Sequence, residues 1–162
     1  MKIEPLLKYA KQIFDNKNLK EQRKLGTNFS ISVINDLIEL NKFDFDEVSK
    51  TQTIGDYMGW HFDNASIIKH KKSIEPNKYL TQIKISERCK LHFHKKKPDY
   101  SLIVYDSDYG IDFNGGILEF IDGTKIYPKK NMYVFFNSEE LHQVSRITKG
   151  VKNFRLYKFY HK

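Results

Sequence analysis

Gly115-Gly116-Ile117-Leu118-Glu119-Phe120, Ile126-Tyr127-Pro128, Tyr133-Val134-Phe135-Phe136, Leu141-His142-Gln143-Val144 and Gly150-Val151-Lys152 follow one another between Gly115 and Lys158. The runs are short and rich in Ile, Val, Tyr and Phe. Turn signals separate them at Asp122-Gly123, Lys129-Lys130-Asn131, Asn137-Ser138 and Lys149-Gly150. That punctuation predicts closely spaced antiparallel strands. His142 opens one strand-like run, and Lys152 follows Gly150 on the next. A barrel holding a metal ion beside a carboxylate-bearing small molecule needs a strand-borne histidine and a cation of this kind.

Upstream, Lys42 to Gln52 alternates polar and apolar residues at period two and predicts a strand, broken at Gly55-Asp56. Tyr57-Met58-Gly59-Trp60-His61-Phe62-Asp63 follows. Side chains at i and i+2 of an extended segment share a face, so His61 and Asp63 can reach one metal ion together. A second histidine from a distant strand completes a two-histidine, one-carboxylate triad, which leaves positions open for other ligands on iron. A bare His-x-Asp is common by chance, and a surface pair in a loop is the competing reading.

In order, Gly115-Gly116-Ile117-Leu118-Glu119-Phe120, Pro128, Phe135-Phe136-Asn137-Ser138 and the run from His142 to Lys152 resemble the C-terminal half of a known family. It is the prolyl 4-hydroxylase-like iron(II)/2-oxoglutarate dioxygenases, of the small bacterial and phage type. Gly55 to Asp63 fits that family's first metal motif, also without a gap. Asn131 stands where the family usually has glycine, and Asn tolerates the same left-handed turn. The resemblance implies Fe(II), 2-oxoglutarate and O2 as cofactors, with ascorbate a candidate accessory. It implies His61, Asp63 and His142 as metal ligands and Lys152 as the anchor of the far carboxylate of 2-oxoglutarate. Arg155 is the rival anchor. Three residues further on, it faces the other way in a regular strand.

One departure opens a second register. The family passes quickly from the strand after His-x-Asp to Gly-Gly, whereas this chain spends Glu87 to Asn114 there. Lys90 to His94 and Tyr100 to Tyr105 look like a hairpin around Lys95 to Pro98. His92 and His94 could then be the first metal motif. With His142 they would make a three-histidine site of cupin type, suited to Fe, Zn, Cu or Ni. A non-catalytic barrel binding nucleic acid or protein is the third reading.

The rest of the chain carries less chemistry. Residues 4–14 place Leu6, Leu7, Ala10, Ile13 and Phe14 on one helical face, and a second helix is expected from Ser30 to Leu40. Asn64 to Asn77 reads as a loop next to the metal motif, a candidate substrate lid or a plain connector. Tyr79 to Ser86 reads as a strand. Cys89, the single cysteine, reads as a small buried hydrophobe and fits a reducing compartment.

At 162 residues one domain is expected, with 1–41 a helical buttress and 42–162 the barrel core. No apolar run approaches a membrane span, and the N-terminus lacks the apolar core of a signal peptide, so the default location is the cytoplasm of a bacterial or phage-infected cell. The net charge of +8 fits a soluble Lys-rich chain and only mildly favours an acidic partner. Its densest clusters are Lys95-Lys96-Lys97 and Lys69 to Lys72. The expected fold is mainly β with N-terminal helices, a double-stranded β-helix of two antiparallel sheets. The expected activity is hydroxylation of a protein prolyl or lysyl side chain, with release of succinate and CO2. A nucleobase or small metabolite is the alternative substrate.

Overall fold

A computed structural model describes residues 8, 11–12, 17–63, 65–69, 72–74, 89–93 and 98–162, with backbone alone for 65–69, 72–74 and 89–93. In chain order the elements are α1 (Leu19–Gln22), β1 (Lys24–Gly26), α2 (Ile31–Leu37), β2 (Phe43–Gln52), β3 (Met58–His61), β4 (Ala65–Lys69), β5 (Lys72–Ile74) and β6 (Cys89–Phe93). Then come β7 (Tyr100–Tyr105), β8 (Phe113–Asn114), β9 (Leu118–Phe120), β10 (Lys125–Ile126), β11 (Tyr133–Asn137), β12 (His142–Val144), β13 (Lys149–Gly150) and β14 (Lys152–His161).

Two antiparallel sheets make the body. One runs β1-β11-β7-β14-β2, the other β10-β9-β12-β3. The sequence of the central strands explains their place. Along β7, Ile103 and Tyr105 pack with Leu118, Phe120, Ile126, Val134, Phe136, Val144 and Phe154, the core between the sheets. Leu102 and Val104 point the other way, onto Phe135, Tyr157, Phe159 and Ile34. A strand apolar on both faces must be covered on both. The second sheet covers one side. The other is covered by Ile34 of α2, with Phe29, Leu37, Ile38 and Leu40 around it.

The turns form where the sequence places them. Gly123, at φ 89°, donates its amide to Phe120 O and closes the β9–β10 hairpin. Asn131 has φ 68°, the left-handed conformation that a glycine would otherwise supply. Gly150 is required by proximity as well as by φ 78°, since a Cβ there would sit 2.0 Å from Asp112 O, across the β8–β13 pair.

Several expectations need correction. The second helix stops at Leu37, because Ile38 turns extended and, with Leu40, packs against the sheet; a 3-10 turn, Leu40–Lys42, then leads into β2. The segment read as a loop from Asn64 to Asn77 contains β4 and β5, paired antiparallel. Among the described residues, the strands expected to form a hairpin between Lys90 and Tyr105 do not pair with each other. β6 pairs with β4, while β7 pairs with β11 and β14. The doubly apolar β7 belongs in mid-sheet and takes both neighbours from much later in the chain. β1, read as nothing from sequence, adds an edge strand to β11. The strand expected at Tyr79 to Ser86 lies outside the described residues, as does all but 8, 11 and 12 of the first expected helix. Among the described residues, no helix is long and apolar enough to cross a membrane.

Candidate metal centre

β3 and β12 lie side by side, and His61 is the register partner of His142. The pairing then shifts: Val144 is opposite Met58, so β3 spends three steps where β12 spends two. Such a bulge re-aims side chains locally. Here the carbonyl of Gly59, inside the bulge, accepts a hydrogen bond from His61 Nδ1 at 2.8 Å. His142 Nδ1 makes the matching bond to Glu140 O, also 2.8 Å. Both rings therefore commit the Nδ1 proton to a carbonyl and turn the Nε2 lone pair inward, the arrangement usual for metal-binding imidazoles.

Asp63, two residues beyond His61, meets both rings. Its Oδ1 is 3.4 Å from His61 Nε2 and 3.3 Å from His142 Nε2. One ligand atom from each of the three side chains lies within 4.8 Å of the others, and all three residues are buried. Burial works against the Asp63 carboxylate, but the two imidazoles outweigh it and hold its pKa well below the usual range. Burial lowers the pKa of His61, and neighbouring His142 lowers it further. Burial opposes charge on His142 too, but there Asp63 outweighs it and raises the pKa. Two imidazole nitrogens with one carboxylate oxygen are a donor set that fits iron. Ser101 of β7 completes the cluster by donating from Oγ to Asp63 Oδ2 at 2.5 Å.

Lys152 opens β14 on the same interior face as Phe154 and is 2% exposed. Its Nζ donates to Gly116 O at 2.9 Å and lies over the rings of Phe154, Tyr105 and Phe113, at 5.0, 5.5 and 6.0 Å. No carboxylate among the described residues pairs with it. Burial alone brings its pKa down to about 7. Gly116 leaves room for the stem, since a Cβ there would stand 2.9 Å from Lys152 Cδ. A buried ammonium without a counter-ion is expensive, and it fits an anion that arrives from outside.

Arg155 takes the opposite face, as strand alternation requires. It binds Asp106 through Nε and Nη2, at 3.1 and 3.0 Å, and lies over Phe29. His92 is on β6, in the sheet β5-β4-β6 rather than beside β12. Its side chain, and all of His94, lie outside the described residues.

Sequence reading missed what stands behind His142. Arg23, between α1 and β1, is buried and binds Glu140 through Nε at 2.8 and 3.0 Å and through Nη2 at 2.5 Å. It also reaches Asp122 at 3.2 Å and stacks 3.9 Å above Phe120. Glu140 is fully buried, and its own carbonyl orients His142. Arg23→Met leaves that carboxylate buried without its partner, and should cost about 3–5 kcal/mol of stability, read from urea unfolding.

No protein-family model and no curated protein sequence matches this chain. Solved structures do. The viral collagen prolyl hydroxylase vCPH of Paramecium Bursaria Chlorella virus-1, in its 2OG complex, superposes with a TM-score of 0.51 at 17% identity. The match covers 94% of this chain and 89% of that one. HygX of Streptomyces hygroscopicus with iron bound gives 0.51 at 10% identity, over 94% of this chain and 78% of that one. A 2OG-Fe(II) oxygenase family oxidoreductase from Burkholderia pseudomallei gives 0.51 at 11%, over 80% and 49%. The fold is that of the prolyl hydroxylase-like 2-oxoglutarate oxygenases. On that oxygenase fold, His61, Asp63, His142 and Lys152 all lie inside the barrel.

Proposed function

We propose that this protein is an Fe(II)- and 2-oxoglutarate-dependent oxygenase. The observation that carries the reading is one buried cluster of side chains. It brings two Nε2 atoms and a carboxylate oxygen together on a barrel interior that also holds a lysine with no counter-ion among the described residues. His61, Asp63 and His142 would hold the metal, and Lys152 would take the far carboxylate of 2-oxoglutarate. Iron and 2-oxoglutarate, when bound, would with O2 as the oxidant supply oxidative decarboxylation to succinate and CO2 coupled to hydroxylation of a substrate C–H bond, one oxygen atom going to succinate and the other to the product.

The chain's own work is placement. The carbonyls of Gly59 and Glu140 keep both imidazoles in the tautomer that offers Nε2. Asp63 supplies negative charge toward a dication. Phe120 and Phe136 wall the His142 side, and Phe154 and Tyr105 wall the lysine side, keeping bulk water away from both. Lys152, near neutrality on its own, takes up a proton when a carboxylate settles against it. The substrate we favour is a prolyl or lysyl side chain of a protein, in keeping with the prolyl hydroxylase among the solved structures that share the fold.

Anaerobic calorimetry tests the reading. With Fe(II) or Mn(II) present, 2-oxoglutarate should bind in the micromolar range, and proton uptake should grow as the buffer pH is raised through 7. With Fe(II) and oxygen, succinate should accumulate. Folded protein that binds neither the metal nor 2-oxoglutarate would end this proposal in favour of a binding barrel.

A further inference from the structure

A carboxylate has two oxygens to offer a metal, and the structure treats those of Asp63 differently. Oδ1 is the oxygen near both imidazole Nε2 atoms. Oδ2 accepts from Ser101 Oγ at 2.5 Å. Ser101 is fully buried and stands on β7, in the five-stranded sheet across the barrel from the strands that carry the histidines. It is the one serine on an inward-facing row otherwise made of Ile103 and Tyr105, opposite Phe136 of β11 and Lys158 of β14. A polar residue costs stability on such a row unless it is hydrogen-bonded, and Asp63 is its partner.

We infer that Ser101 is a positioning residue for the metal centre: it holds Asp63 to one coordinating oxygen, Oδ1, and fixes that oxygen toward the two imidazoles. This rests on the metal-binding reading above. Its consequence is a vacant coordination position. A carboxylate that rotated freely could close onto the ion with both oxygens and occupy a place that an oxygenase needs open. The hydroxyl also links the two sheets through the site, so the ligand set is aligned by the whole barrel rather than by β3 and β12 alone.

The test uses Co(II), whose visible spectrum reports coordination, on the full-length chain. Wild type should bind one Co(II), and His61→Ala should lose it. Ser101→Ala should bind Co(II) about 10- to 100-fold more weakly, the usual effect of removing a group that orients a ligand. Its visible band should also change in intensity. Ser101→Thr keeps the hydroxyl and should restore both. A Ser101→Ala protein with wild-type affinity and spectrum overturns the role of Ser101 and leaves the metal reading intact. So does a Ser101→Thr protein as weak as Ser101→Ala, since packing volume would then be the cause. Wild type that takes up no Co(II) overturns the metal reading, and the role of Ser101 with it. A drop in urea midpoint alone, with Co(II) binding unchanged, counts against it as well.

Discussion

In His61→Ala, Asp63→Ala and His142→Ala, iron-dependent consumption of 2-oxoglutarate should fall to background, while His92→Ala and His94→Ala keep most of it. Losing a group that merely orients a ligand costs 10- to 100-fold in metal affinity, so losing a ligand should cost on the order of a hundredfold or more. The geometry makes the three side chains a unit. Removing Asp63 leaves two facing imidazoles, ring centroids 4.1 Å apart, with no anion between them. Removing either histidine leaves Asp63 short of one of the two rings that hold its carboxylate ionised. Succinate release measured across the five variants decides the matter. The reverse pattern, with His92 and His94 essential, would transfer the site to the three-histidine arrangement.

Lys152→Met should act in two opposite directions. Affinity for 2-oxoglutarate should fall by on the order of a hundredfold or more, since the variant removes the charge from a desolvated ion pair. Stability of the ligand-free protein should rise at low pH. The sign follows from linkage. The Lys152 pKa is about 7 in the folded chain, below its ordinary value of 10.5. Between those two values the unfolded chain binds a proton that the native chain does not, so the lysine's contribution improves as pH rises. Below 7 both states are protonated and the folded chain carries the full cost of a buried ammonium. Its slope is at most about 1.4 kcal/mol per pH unit. Urea midpoints of wild type and Lys152→Met at pH 6, 8 and 9.5 should therefore differ most at pH 6, with the variant the more stable. A variant less stable than wild type at pH 6 would show that the lysine is held by something other than aromatic rings and one carbonyl.

Much of the C-terminal half was legible because its strands are short and end where the backbone must turn. Gly123, Asn131 and Gly150 all have positive φ, and all three were marked by residue type alone. Strand parity also separated Lys152 from Arg155 correctly, one facing the barrel interior and the other facing Asp106. Elsewhere local pattern was not enough. His61-x-Asp63 and His92-x-His94 both sit on extended chain, and period two cannot say which strand lies next to β12. Local pattern alone makes Tyr100 to Tyr105 look like the second arm of a hairpin with β6, whereas its neighbours, β11 and β14, are chosen by the burial of both its faces. Arg23 had no signal at all, since Glu140 and Asp122 are 117 and 99 residues away. Ser101 had a faint one, a lone serine in the otherwise aliphatic and aromatic run Tyr100 to Tyr105.

The pairing of His61 with His142 has a consequence for how the chain reaches its working state. Neighbours along a strand point to opposite faces, so a one-residue slip of β3 against β12 would send one imidazole out toward solvent. β3 is the last strand of its sheet among the described residues, where such slips are least resisted. An ion bridging the two rings would then serve as a checksum on the zipping of that margin. Only chains closed in the right alignment could retain it, and each ion retained would lock the margin shut.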